Sequence, residues 1–198
     1  MVYTISRAVC LFLCKIFIRL KVEGKNNIPK QGGFILASNH ISFLDPIILC
    51  VVCQRRLNFL ARHTLFRDPA FGWLLLHLNV VPLKRGTADL SALKEAMARL
   101  RAGGGLLLFP QGARQQSSEF FGGAQPGVGF LAAKLNVPVI PAFIQGTERA
   151  MSRGAKFIHP AKVKLIFGKQ ILIERGMPYR AFAGNVMEKI RHLSCSIT

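Results

Sequence analysis

Short apolar runs alternate along the chain with longer segments in which apolar residues recur every three or four positions. An apolar run of about four to eight residues, bounded by glycine, proline or polar residues, is typical of a strand buried on both faces. We predict strands at residues 20–23, 33–38, 57–61, 80–83, 106–109, 137–144, 162–167 and 171–173. The longer periodic segments predict helices at residues 44–53, 69–77, 88–101, 127–135 and 179–193.

This alternation predicts one α/β domain with a mostly parallel, mixed sheet flanked by helices. We found no internal repeat, low-complexity tract or linker that would divide it. In such sheets ligands bind at the carboxyl ends of the strands. Polar clusters that follow strands are therefore the candidate functional residues.

The first 20 residues form a further apolar segment, which Lys15 interrupts. A membrane-spanning helix needs about 20 consecutive apolar residues, so this segment is too short to span. It also lacks the small-residue cleavage site of a signal peptide. With Arg7, Lys15, Arg19 and Lys21 along it, we predict a membrane-interfacial helix at residues 1–22, ahead of a domain at 23–198. An amphipathic helix packed on the domain is the alternative.

Composition adds a strong positive charge to this apolar chain. The 198 residues are 51% hydrophobic, with a mean hydropathy of +0.32 and a net charge of +18. An anionic bilayer, a nucleic acid or a merely solubilising surface would each account for the charge. The five cysteines are scattered and odd in number, which argues against a disulfide framework and favours reduced thiols on the cytosolic side.

The first polar cluster runs from Asn39 to Asp45, after the predicted strand at 33–38. Histidine suits proton transfer near neutral pH, and an aspartate on its far ring nitrogen fixes the tautomer. On a continuous helix the five-residue spacing would place His40 and Asp45 about 140° apart. The pair can meet only if His40 lies in the turn and Asp45 in the first turn of the next helix.

Two basic clusters follow other predicted strands. Gly112 lets the backbone approach a ligand, and Arg114 presents a planar fork suited to phosphate. Lys84 and Arg85 precede Gly86 at a further strand end. Because no G-x-S-x-G nucleophile elbow is present, we expect a base that acts directly on a substrate hydroxyl.

These clusters resemble the sequence blocks of the glycerolipid acyltransferases, which include the bacterial lysophosphatidic acid acyltransferases. Asn39 to Asp45 matches the N-H-x4-D signature, and Lys84-Arg85-Gly86 is similar to the second block. Residues 109–114 resemble the third block, F-P-E-G-T-R, and residues 137–141 resemble the fourth. The four blocks keep the family's order over residues 33–146.

The resemblance implies transfer of a fatty acyl group from acyl-CoA or acyl carrier protein to a lysophospholipid, at the cytoplasmic face of a bacterial inner membrane. His40 and Asp45 would be the catalytic dyad. Lys84, Arg85, Gln111, Gly112 and Arg114 would bind the acceptor, most simply 1-acylglycerol-3-phosphate. We expect no metal, no cofactor and no nucleic-acid partner, with acyl carrier protein and an anionic bilayer surface as candidate partners.

Two departures from the third block bear on the acceptor. Gln111 stands where the family has glutamate, and Ala113 where it has threonine. Glutamine cannot carry the negative charge, so the preferred acceptor could be another lysophospholipid or a lyso-aminolipid. A basic membrane-binding module without activity is the remaining alternative, although it leaves the ordered blocks unexplained.

Overall fold

Strands and helices alternate through the computed structural model, which describes residues 2–84, 89–115, 123–152, 154–155 and 157–195. The strands are β1 Ile18–Glu23, β2 Phe34–Ser38, β3 Leu57–Arg62, β4 Val80–Leu83, β5 Gly105–Leu108, β6 Val139–Gln145 and β7 Ala161–Phe167. The α-helices are α1 Val2–Phe17, α2 Leu44–Val52, α3 Pro69–His77, α4 Leu90–Arg101, α5 Gly127–Leu135, α6 Thr147–Ala150 and α7 Tyr179–Cys195. Two short 3₁₀ helices occupy Lys25–Asn27 and His63–Phe66.

The strands form one sheet in the order β1-β7-β6-β2-β5-β3-β4. From β6 to β4 all neighbours are parallel, whereas β7 runs antiparallel to β6 and parallel to β1. The prediction of a mostly parallel, mixed sheet is confirmed. Five strands therefore end at one edge of the sheet, and β1 and β7 begin at that same edge.

Hydrophobic cores cover both faces of the sheet, as the unbroken apolar runs predict. In β2, Phe34 and Leu36 face the core shared with α2, whereas Ile35 and Ala37 face the core shared with α4, α5 and α7. All four side chains are fully buried. Alternation along a strand thus fills two cores from one segment.

The helix α4 begins at Leu90 because Asp89 caps it. The Asp89 carboxylate accepts hydrogen bonds from the backbone N–H of Ala92 and the hydroxyl of Ser91. The Ser91 hydroxyl, with the backbone N–H groups of Lys84 and Ala92, lowers the pKa of Asp89 to about 2. The first predicted residue of this helix, Ala88, lies outside the described residues.

The predicted strand at 171–173 is wrong. Only Ile171 pairs, through a single bridge to Val139, and Leu172 is 59% exposed. Because β7 pairs with β6 only from Ala142 to Gln145, the start of β6 has a free edge that this one bridge fills.

At the amino terminus, α1 ends at Phe17, and β1 crosses the domain boundary predicted at residue 22. Several large apolar side chains of α1 face solvent: Ile5, Val9, Phe12, Leu13 and Ile16. Among the residues that the structure describes, no helix is long and apolar enough to cross a membrane.

Candidate active site

Asn39 anchors the site to the end of β2. Its side chain is fully buried, and its Nδ2 donates to the Ile144 carbonyl at 2.8 Å while its Oδ1 accepts from the Ile144 N–H at 2.8 Å. The side-chain amide thereby extends the hydrogen bonding between β2 and β6 by one residue beyond the last backbone pair. This fixes the point at which the chain leaves the sheet and turns towards α2.

His40 and Asp45 meet in that turn, as predicted. His40 Nδ1 lies 2.9 Å from Asp45 Oδ2, with the His40 side chain 14% exposed and Asp45 fully buried. The same oxygen accepts backbone hydrogen bonds from Ile41 at 2.6 Å and Ser42 at 2.7 Å. Asp45 Oδ2 already accepts two backbone hydrogen bonds, so Nδ1 of His40 is the donor in this contact, and in the neutral imidazole Nε2 then keeps its lone pair. His40 is therefore in the tautomer required of a base.

Thr147 completes the partners of Asp45, and sequence reasoning missed it. The Thr147 hydroxyl donates to Asp45 Oδ1 at 2.5 Å, and both side chains are fully buried. Thr147 opens α6 directly after β6, where Gly146 turns the backbone with a φ of +92°. A positive φ favours glycine. The sequence did carry one signal of this partner, namely the Gly146-Thr147 pair directly after a strand.

The third block closes over one side of His40. The Phe109 ring stacks on the imidazole with a centroid distance of 4.0 Å and an interplanar angle of 17°. The backbone N–H of Gln115 donates to the His40 carbonyl at 2.9 Å. These two contacts fix the imidazole plane and join the ends of β2 and β5.

The rest of this block forms a tight loop beside the dyad. Gly112 has a φ of +73°, and its N–H donates to the Phe109 carbonyl at 2.9 Å. Gln111 is buried, and the Arg114 guanidinium lies 3.5 Å from the centroid of the Phe43 ring. Phe43 immediately precedes α2, so this cation–π contact holds Arg114 beside the dyad turn.

The second basic block lies farther away. Lys84 follows β4 and is exposed, and its backbone N–H donates to Asp89 at 2.9 Å. The sheet order places β4 three strands from β2, which is roughly 14 Å at the usual strand spacing. Arg85 and Gly86 lie outside the described residues. The structure thus brings the dyad and the third block together, with Lys84 at the far end of the same edge.

An apolar cavity of about 80 Å³ lies behind the dyad turn, between α1 and α2. Cys10, Pro46, Ile47, Cys50 and Phe59 are among its lining residues. Burial raises the pKa of Cys50 to about 12, so its thiol is neutral. All five cysteines are free thiols.

The other histidines make separate contacts. His77 Nδ1 lies 2.8 Å from the Trp73 carbonyl, and His192 Nε2 lies 3.2 Å from Glu188. Within the described ranges, no three His, Cys, Asp or Glu side chains group as metal ligands would.

Comparison with known proteins agrees with this geometry. A family model described as "Acyltransferase" matches residues 19–145. The chain is 31% identical to the chloroplastic 1-acyl-sn-glycerol-3-phosphate acyltransferase LPAT1 of Arabidopsis thaliana, over 78% of this chain and 44% of that protein. It is 27% identical to the 1-acyl-sn-glycerol-3-phosphate acyltransferase of Bacillus subtilis, over 82% of this chain and 80% of that protein.

A solved structure extends the comparison to the whole chain. The crystal structure of the 1-acyl-sn-glycerophosphate (LPA) acyltransferase PlsC from Thermotoga maritima superposes with a TM-score of 0.77. The sequences are 25% identical, and the match covers 100% of this chain and 78% of that one. The chain spans about half the length of the chloroplastic relatives that it matches.

Proposed function

The chain belongs to the acyltransferase family, and we propose that it transfers a fatty acyl group from a thioester to the free hydroxyl of 1-acylglycerol-3-phosphate, which gives phosphatidic acid. The names of the relatives from Arabidopsis thaliana, Bacillus subtilis and Thermotoga maritima support this acceptor. The donor would be acyl-CoA or acyl carrier protein.

The 2.9 Å contact between His40 Nδ1 and Asp45 Oδ2 is the observation that carries this proposal. With Nδ1 protonated, His40 Nε2 takes the proton of the acceptor hydroxyl as the oxygen attacks the thioester carbonyl carbon. The new C–O bond forms, the tetrahedral oxyanion collapses, and the C–S bond breaks. The imidazolium then returns its proton to the departing thiolate, and buried Asp45 balances the positive charge between these two steps.

The third block supplies the anion-binding groups. Arg114, held against Phe43, would bind the acceptor phosphate through its planar fork. Lys84, at the far end of the edge, would attract the acceptor phosphate at longer range through its positive charge. Arg85, the other cation of the second block, would add to this charge. Gly112 turns the loop beside His40 with a φ of +73°. Because its own N–H is bonded to the Phe109 carbonyl, the backbone N–H groups that would stabilise the oxyanion are those of its neighbours in the loop. Gln111 would contact the acceptor as a neutral amide in place of the family's glutamate.

We propose that α1 lies on the membrane surface at its cytoplasmic face. Phe12 and Ile16 are more than half exposed on this helix, and Trp73 of the adjacent α3 is 54% exposed. Lys15 stands among them and would meet anionic headgroups. An apolar face beside the dyad turn would deliver a lysolipid to His40 without moving it through water.

The test is thiol release from an acyl thioester in the presence of a panel of lysolipids. We expect release with lysophosphatidate, and a loss of at least about a hundredfold in His40→Ala and in Asp45→Ala. His77→Ala, which alters a histidine away from the dyad, is the matched control. A folded His40→Ala protein that keeps more than about a tenth of the rate would refute the mechanism. Faster turnover of a lysolipid without a phosphomonoester would refute the acceptor.

A further inference from the structure

Two cross-strand pairs of like charge lie on β1 and β7. The parallel register places Arg19 opposite Lys162 and Lys21 opposite Lys164. Directly opposed like charges destabilise a sheet. We refer to these four residues as the basic ladder.

Among the residues that the structure describes, an acidic side chain offsets only one end of the basic ladder. Glu23 lies 3.2 Å from Lys21 and 3.3 Å from Lys164. The side chains of Arg19 and Lys162 are exposed and form no ion pair or hydrogen bond with another described residue. A local arrangement that costs stability, without compensation from the described residues, indicates a function.

The uncompensated end lies at the active-site edge of the sheet. Because β1 and β7 begin where β6 ends, Arg19 and Lys162 lie near the strand end that carries Thr147, the partner of Asp45. An open groove of about 350 Å³ joins the basic ladder to Gln145 and Arg149. Arg149 has a side chain that is 76% exposed.

The basic ladder faces away from the apolar side of α1. Ile18 and Leu20 of β1 point into the core that also contains Cys14 and Phe17 of α1, so Arg19, which alternates with them, points to the opposite face. The basic ladder lies on the same face of the sheet as α7. This helix covers β6 but leaves β1 and β7 open on that face. A bilayer bound through α1 would therefore not cover the basic ladder.

We propose that the basic ladder docks the acidic surface of the carrier protein that delivers the acyl thioester. This inference rests on the proposed function, since it supplies the donor for the same site. An acidic protein face matches exposed cations spread over two strands and α6. Adenine would gain an aromatic stacking partner in a typical nucleotide site, but none of the described residues that line the groove is aromatic. Docking at this edge would direct the thioester towards His40.

The decisive comparison uses one acyl chain on two donors, acyl carrier protein and CoA. We expect the double variant Arg19→Glu, Lys162→Glu to raise KM for the carrier-protein donor at least about tenfold, because reversed charges repel an acidic partner. We expect KM for the CoA donor to change less than about twofold, and kcat to stay unchanged. The matched control is Lys94→Glu, Arg101→Glu, which reverses one lysine and one arginine exposed on α4, near the opposite edge of the sheet.

Direct binding separates this inference from the proposed function. Fluorescence anisotropy with labelled, non-acylated carrier protein should show binding that weakens with salt, and that weakens at least about tenfold in the ladder variant but not in the control. If the ladder variant has a lower melting temperature than the wild type, the neutral variant Arg19→Gln, Lys162→Gln replaces it. We expect this variant to weaken carrier-protein binding as well, but by a smaller factor.

Three results would overturn the inference: equal KM increases for both donors, no change for either, or a loss of vesicle binding in the ladder variant. A chain that transfers from neither donor, yet binds carrier protein through the ladder, would refute the proposed function and leave only the docking of carrier protein standing.

Discussion

The bond from Thr147 to Asp45 gives the sharpest prediction, because Thr147 alone donates to Asp45 Oδ1 in the described part of the chain. Thr147→Val keeps the shape of the side chain and removes that donor, which leaves one oxygen of a fully buried carboxylate unsatisfied. A lost hydrogen bond to a charged group is worth about 1.5–3 kcal/mol, or roughly ten- to a hundredfold. We expect kcat to fall by that factor, because the imidazolium formed in the reaction depends on the position and charge of Asp45.

Thr147 acts through Asp45 and not on substrate, so KM for both substrates should change less than about twofold. The melting temperature should fall by about 3–12 °C, from 2–4 °C per kcal/mol for a chain of this size. Thr147→Ser keeps the hydroxyl and should restore most of kcat. The reasoning fails if valine leaves kcat unchanged, or if serine is as slow as valine at equal stability.

Arg114→Ala should raise KM for lysophosphatidate about tenfold or more and leave KM for the acyl donor unchanged, in steady-state kinetics with each substrate varied; an equal effect on both would place Arg114 outside the phosphate site. Phe12→Asp with Ile16→Asp should weaken sedimentation with anionic vesicles without lowering the melting temperature, because both side chains already face solvent; full sedimentation would place the membrane contact elsewhere. Gln111→Glu should change acceptor KM, and should raise kcat less than tenfold, because the proposed base is His40; an inactive native chain that glutamate activates would contradict this assignment of roles.

The centre of the sheet could be predicted because β2, β5 and β6 are buried on both faces. Phe34 and Leu36 fill one core and Ile35 and Ala37 the other, so β2 had to be an uninterrupted apolar run. The start of α4 shows the limit of periodicity. Apolar spacing sets its length to within two residues, but the Asp89 cap decides where it begins.

The contacts that complete the site lie far apart in the chain, and local patterns do not reveal them. Thr147 reaches Asp45 across 102 positions of sequence, and it lies on a helix of four residues, too short to show a helical period. The apolar run at Ile171 led to a wrong strand prediction for the opposite reason. Its pattern suits a strand, but no neighbour beyond Val139 was available to pair with it.

The dyad itself shows how a local fold can make a chemical site. Residues five apart on one helix cannot face each other, so the turn at Ile41 and Ser42 has to bring His40 back over Asp45. That turn is held by the Asp45 carboxylate, whose Oδ2 binds the N–H groups of Ile41 and Ser42 as well as His40 Nδ1. The group that charge-balances the base is therefore also the group that shapes the loop presenting it. An amide at this position could place its oxygen at the Oδ2 site, with its NH2 group facing the Thr147 hydroxyl in place of Oδ1. A neutral oxygen, however, binds the two backbone N–H groups less strongly than a carboxylate does, and it could not balance an imidazolium. The carboxylate therefore serves the conformation of the turn as well as the proposed chemistry.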